Sequence, residues 1–290
     1  MSSNPSLDSG PAADSPPRDS ASVVLLRDAA PGLQVLLMQR SKRSAVLGGT
    51  YVFPGGKLER SDSAAATLSR LDCPADTLQH ALGEPQLDLP KAAGLFVAAI
   101  RETAEEVGIF LCQSRGDEAG TAASFASRIE QSDTLLSASA LAPWSRWVTP
   151  PQQKMIERRF DTRFFLAQLP PEQAVRKDDF EATTLRWMTP QQALQAYYRS
   201  EINLIPPQII SLMHLSLYSA ADAAMRAARQ RMPPCIEPHM LQEAGQLTMC
   251  YPGDPMHPRQ VPAFPTQVPT RLLLRNGRFE PPGGVAAPYA

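Results

Sequence analysis

The chain has 290 residues, with 28 Lys plus Arg against 29 Asp plus Glu and a net charge of −1. That length fits one or two domains with a sizeable core, and the near-neutral balance gives no electrostatic basis for binding nucleic acid or a membrane surface, so phosphate recognition would have to come from a local site. The four cysteines (Cys73, Cys112, Cys235, Cys250) are far apart, which argues against a zinc module, a redox motif or a disulfide framework.

In chain order, residues 1–20 hold four Pro and six Ser and read as a disordered tail. The stretch has no apolar signal core and carries Asp8, Asp14 and Asp19, unlike a transit peptide, so the expected location is cytoplasmic. Ser22–Arg27 and Leu33–Arg40 read as strands joined by a turn at Asp28–Gly32. Tyr51–Phe53 is a short strand running into Pro54-Gly55-Gly56. Residues 63–93 are mostly Ala-, Ser-, Leu- and Pro-rich without a firm pattern and read as an insertion with short helices. Ala92–Leu111 is predicted as a helix, with Ile100, Ala104, Val107 and Leu111 as an apolar stripe and Gly108 near its end. Its apolar run Ala92–Ile100 is nine residues, against about 20 for a membrane span.

Trp147-Val148, Phe160–Leu169 and Thr184–Met188 look like strands. Thr189-Pro190 caps a helix over 191–199, and Pro207–Arg231 reads as one longer amphipathic helix in which His214 is a packed residue. The domain is therefore expected over 21–235. Residues 236–290 form a Pro-rich extension that either wraps the domain or makes a homodimer contact. Within it, Leu272–Phe279 turns at Asn276-Gly277 as a hairpin.

The chemistry lies in Arg101-Glu102-Thr103-Ala104-Glu105-Glu106-Val107-Gly108-Ile109. Residues three and four apart on a helix are neighbours, so Glu102, Glu105 and Glu106 form one carboxylate cluster opposite the apolar stripe. Alone, such a cluster fits a solvated acidic face as well as a hard-cation site. The strand and Gly55-Gly56 loop upstream favour the second, because a strand, a glycine loop and an acidic helix together make a phosphate-plus-metal arrangement.

This segment resembles the Nudix box, G-x5-E-x7-R-E-U-x-E-E-x-G-U, in which U is aliphatic. Arg101, Glu102, Glu105, Glu106, Gly108 and Ile109 match its second half, with Thr103 where an aliphatic residue is commoner, and Gly56 matches its opening glycine. Asp62 stands where Glu is usual, and 38 residues separate it from Arg101 where the pattern has seven. An enlarged loop inside the box, Tyr51–Gly56, Arg159–Phe165 and Pro206-Pro207-Gln208 resemble a Nudix subgroup that includes a peroxisomal coenzyme A diphosphatase of animals. The resemblance covers roughly residues 20–215. It implies an α/β fold, the Nudix α/β/α sandwich with a mixed sheet.

It also implies site residues. Glu102, Glu105 and Glu106 would bind Mg2+ or Mn2+. Arg101 would orient the glutamates, with Asp62 as its acidic partner, and Gly108 is structural in the box. Glu181, in the acidic loop before the strand ending near Trp187, is a candidate outer carboxylate or base. Gly55, Gly56, Arg40, Arg159 and Arg163 are candidates for substrate contact, as is Arg43. The implied reaction is hydrolysis of a diphosphate in a small nucleoside diphosphate derivative. Coenzyme A or acyl-coenzyme A leads, and the alternatives are ADP-ribose, a dinucleotide or a nucleotide sugar. A Nudix-fold binding module without turnover is the alternative of another class, disfavoured because all three box glutamates are present.

Overall fold

A computed structural model describes residues 16–41, 48–113, 125–130, 134–151, 159–176, 182–243 and 245–284. The first two apolar segments form a hairpin, β1 (Arg18–Ala29) and β2 (Gly32–Arg40), closed by Ala30-Pro31. β3 (Tyr51–Val52), β4 (Gly55–Lys57), a 3-10 turn at Ser61–Ser63, α1 (Ala65–Leu68), α2 (Ala75–Leu82) and α3 (Leu89–Val107) follow. Next are β5 (Cys112–Gln113), α4 (Phe125–Glu130), β6 (Leu135–Leu136), β7 (Ala142–Val148), β8 (Phe160–Gln168) and β9 (Ala182–Met188). Then come α5 (Pro190–Tyr198), α6 (Pro206–Leu215), α7 (Ala221–Arg229) and β10 (Cys235–Ile236). Last are β11 (His239–Glu243), β12 (Gln246–Cys250), β13 (Arg271–Arg275) and β14 (Arg278–Glu280).

The main sheet is mixed, in the order β10-β7-β8-β1-β2-β3, with β4 also on β1 and β9 on β2. β1 runs parallel to β8 from Arg18 to Leu26. That pairing draws Arg18–Ser20 into the sheet, although their composition placed them in a tail; backbone hydrogen bonds decide there. Side chains alternate between the two faces. Val24, Leu26, Val35, Leu37, Phe164 and Leu166 face a cluster completed by α5, α6 and α7. Val23, Leu25, Leu36, Met38, Phe165 and Ala167 face one completed by α2 and α3. The sheet is thus covered on both sides, an α/β/α sandwich, and burial on both faces explains the near-continuous apolar runs of its strands.

α3 starts at Leu89, earlier than the periodicity placed it, because the Asp88 carboxylate accepts the Lys91 N–H at 2.8 Å as an N-cap. It stops at Val107 because Gly108 is left-handed (φ 70), so Leu111 lies outside the helix. The single helix expected over 207–231 is two helices. The break follows Leu215, and α7 restarts where the Ala221 N–H finds the Asp28 carboxylate at 2.8 Å. That cap comes from the far end of β1, so no local pattern announces it. The Asn276-Gly277 turn closes β13 on β14 as read. Met249, Tyr251, Val268 and Leu272 join the same cluster as α5–α7, so this late segment wraps that face of the sheet. No helix among the described residues is long and apolar enough to cross a membrane.

On that face His214 stacks against Trp144, ring centres 4.3 Å apart, and burial, aided by the Arg231 charge, pushes its pKa down to about 3. The folded state therefore favours the neutral ring. The stability this gives is complete above the unfolded pKa of about 6.5 and is lost as pH falls toward 3. Urea unfolding at pH 7 and pH 5 should show the wild type losing about 2 kcal/mol more than His214→Phe between those values.

Candidate active site

The box is assembled by one arginine. On the face of α3 away from the core, Arg101 is 8% exposed and its ion-pair partner Asp62 is 1% exposed. Nε and Nη2 of Arg101 donate to the two Asp62 oxygens at 2.8 and 3.0 Å. Nη1 donates to Glu102 at 2.8 Å and Glu105 at 3.1 Å, and Nη2 also donates to the Lys57 carbonyl at 3.1 Å. Those bonds employ all the donors that a guanidinium has. Burial works against the charge, but Asp62 and Glu102 outweigh it, and the Arg101 pKa is raised. Asp62 is in turn held by the Glu59 N–H at 2.8 Å.

β4 lays the glycine loop along α3. Its pairing with Ser20–Ser22 of β1 fixes Gly55 and Gly56, and the Gly55 N–H donates to Glu106 Oε2 at 2.7 Å. Glycine is required at 56 by close approach: a Cβ there would overlap both oxygens of Glu102. Thr103, the departure from the aliphatic pattern, is fully buried and its hydroxyl is satisfied by the Ala99 carbonyl at 2.7 Å. The segment after the box is braced by Gln173, whose amide bonds both the N–H and the carbonyl of Phe110 at 2.8 Å.

Glu106 is 3% exposed, while the Glu105 side chain is 46% exposed. The structure thus gathers Gly55, Gly56, Asp62, Arg101, Glu102, Glu105, Glu106 and Gly108 into one region. Among the described residues no three His, Cys, Asp or Glu side chains are grouped so as to hold one metal ion together. The donors are nevertheless all carboxylate oxygens, a set that suits a hard divalent cation. Glu181 and Arg43 lie outside the described residues.

The arginines expected at the substrate sort differently. Arg163 is 2% exposed and commits its guanidinium to structure: it forks onto Glu84 at 2.9 and 2.7 Å and donates to Asp19. Arg146 pairs with Asp161 and Glu84, and Lys91 with Asp19. This corrects the reading of Arg163 as a phosphate ligand. Arg159 opens β8, across β1 from β4, with Nε on the Thr149 carbonyl at 2.9 Å. Arg40 ends β2, where its N–H donates to the Thr50 carbonyl at 3.0 Å. Glu84, which sequence reasoning missed, ties the segment between Asp62 and Arg101 to the sheet. Its partners are 62 and 79 residues away, so no local spacing could mark it.

A family model described as the NUDT19 Nudix domain matches residues 14–215. The chain belongs to that Nudix family. It is a Nudix hydrolase. The acyl-coenzyme A diphosphatase NUDT19 of Xenopus laevis is 26% identical over 300 residues, covering 85% of this chain and 79% of its own length. That of Homo sapiens is 28% identical over 276 residues, covering 79% and 73%. The crystal structure of a NUDIX hydrolase from Alicyclobacillus acidocaldarius superposes with a TM-score of 0.57 at 25% identity, covering 76% of this chain and 98% of that one.

Glu84→Ala would leave the buried Arg163 and the partly buried Arg146 with fewer partners. It is expected to destabilise the fold by about 3 kcal/mol, and thermal unfolding should show the Tm falling by roughly 6–12 °C.

Proposed function

We propose that this hydrolase uses Mg2+ or Mn2+ to cleave the diphosphate bond of coenzyme A or an acyl-coenzyme A, giving adenosine 3′,5′-bisphosphate and the 4′-phosphopantetheine, acylated or not. The observation that carries the reading is the three-carboxylate face of α3, pinned to the glycine loop by the Gly55–Glu106 bond and ordered by Arg101. The coenzyme A substrate is supported by the relatives named acyl-coenzyme A diphosphatase.

Glu102, Glu105 and Glu106 would hold the ion, and their open arrangement suits a cation that keeps waters and takes further ligands from substrate phosphate. When bound, such an ion supplies charge neutralisation at the diphosphate and a more acidic water. The chain's own residues do the positioning. Arg101 holds Glu102 and Glu105 by fixed hydrogen bonds and offsets their mutual repulsion. The Gly55 N–H fixes Glu106 Oε2 against the glycine loop. Glu105, the most exposed of the three, meets water and substrate first.

Purified protein with Mg2+ should hydrolyse coenzyme A and acyl-coenzyme A faster than ADP-ribose, NADH or a nucleotide sugar in one panel. Glu105→Gln and Glu106→Gln should each lower kcat by about a hundredfold or more while unfolding like the wild type. Gly56→Ala, which displaces Glu102, should lower kcat by about tenfold to a hundredfold. Preference for another diphosphate would replace the substrate and keep the chemistry, whereas a bound metal with no turnover of any substrate would sink the reading.

A further inference from the structure

The C-terminal hairpin grips the turn after α5 through one side chain. Arg278 on β14 donates from Nη1 to the carbonyls of Tyr197 at 2.6 Å and Ile202 at 3.2 Å, and from Nη2 to Asn203 Oδ1 at 3.2 Å. Its guanidinium also lies 4.8 Å from the centre of the Tyr197 ring. The next residue, Phe279, donates its N–H to the Tyr197 hydroxyl at 2.8 Å. These bonds clamp the turn that follows α5. Within it, Ser200 has φ 65, a left-handed conformation that a residue with a Cβ keeps where its surroundings fix it.

The other side of that turn holds β3. The Asn203 carbonyl accepts the Tyr51 N–H at 2.8 Å. β3 is two residues long; β2 holds it through Met38–Val52, Gln39–Tyr51 and the Arg40 N–H on the Thr50 carbonyl, and the bond from Asn203 ties its start to the turn after α5. Four residues after Tyr51 stands the Gly55 N–H that holds Glu106.

We propose that Arg278 is a positioning residue for the carboxylate face. It fixes the turn over 200–203, that turn ties down the start of β3, and the chain runs from β3 through Phe53-Pro54 to Gly55 of β4, whose N–H orients Glu106. The two ends of this path are 172 positions apart in the chain. The inference rests on the diphosphatase reading only for its kinetic consequence; the clamp itself is read without substrate or metal.

The test uses the full-length chain as wild type, Arg278→Ala and Arg278→Lys. In hydrogen exchange, amides over 51–56 should exchange about tenfold faster in Arg278→Ala, the change expected from losing a net hydrogen bond or two, while β1 and β8 keep their wild-type rates. Arg278→Lys, which can still reach a carbonyl, should fall between the two and serves if the alanine variant fails to fold. In hydrolysis, kcat should fall by about tenfold with KM nearly unchanged, and millimolar guanidinium should restore part of the rate. Unchanged exchange over 51–56, or an equal rise in every strand, would overturn the proposal. A wild type that hydrolyses no diphosphate would remove the function reading, and the exchange pattern would still decide the clamp.

Discussion

The site depends on keeping one guanidinium buried. Taking Arg101 out of water is unfavourable by several kcal/mol unless its charge is paired and its donors are filled. Asp62, Glu102, Glu105 and the Lys57 carbonyl fill them all. Lysine could not replace this pattern, because an ammonium has three donors and no planar fork. The requirement works in both directions. Arg101 needs acids from α3 and from the loop before it, so it fixes the loop on the helix. The loop in turn delivers the Gly55 N–H to Glu106. Three glutamates within two turns of helix would otherwise repel one another, at a cost of roughly 0.2–0.5 kcal/mol per pair when exposed, and more where water is excluded.

The same interaction explains how the box tolerates a long segment between its halves. Closing a longer loop costs entropy that grows only with the logarithm of its length, about 0.6 kcal/mol per doubling. Asp62 can therefore stand 39 positions before Arg101 and still meet it with both oxygens. Glu84 secures the interior of the segment by forking onto Arg163 beneath it, and α2 lays Leu78 and Leu82 against the α3 side of the core. The segment is thus packed into the domain at three points and does not loosen the site it interrupts.

What was legible in the sequence follows from range. The second half of the box could be read because its logic is helical: Arg101, Glu102, Glu105 and Glu106 are neighbours by spacing alone, and Gly108 ends the helix where a left-handed residue is needed. The strands of the sandwich were visible in their apolar runs and the hairpin in Asn276-Gly277. Misreadings arose where the deciding partner is distant. Arg163 looked like a substrate contact because Glu84 lies 79 positions away. The helix over 207–231 looked continuous because the cap that starts α7 belongs to Asp28, 193 positions earlier. Arg18–Ser20 looked disordered because their stabilisation is a backbone ladder to β8, which composition does not report.

Two charged networks border α3, and their balance separates support from chemistry. In one, Arg146, Arg163 and Lys91 face Glu84, Asp161 and Asp19, three cations to three carboxylates, with Arg163, Glu84 and Asp161 buried and the other three reaching solvent. In the other, Arg101 meets Asp62, Glu102 and Glu105, and the neighbouring Glu106 is held by the Gly55 N–H. Of these acids Glu105 is the one that reaches water. Acids gathered so closely suit a hard multivalent cation, the chemistry that the proposed diphosphatase reading calls for.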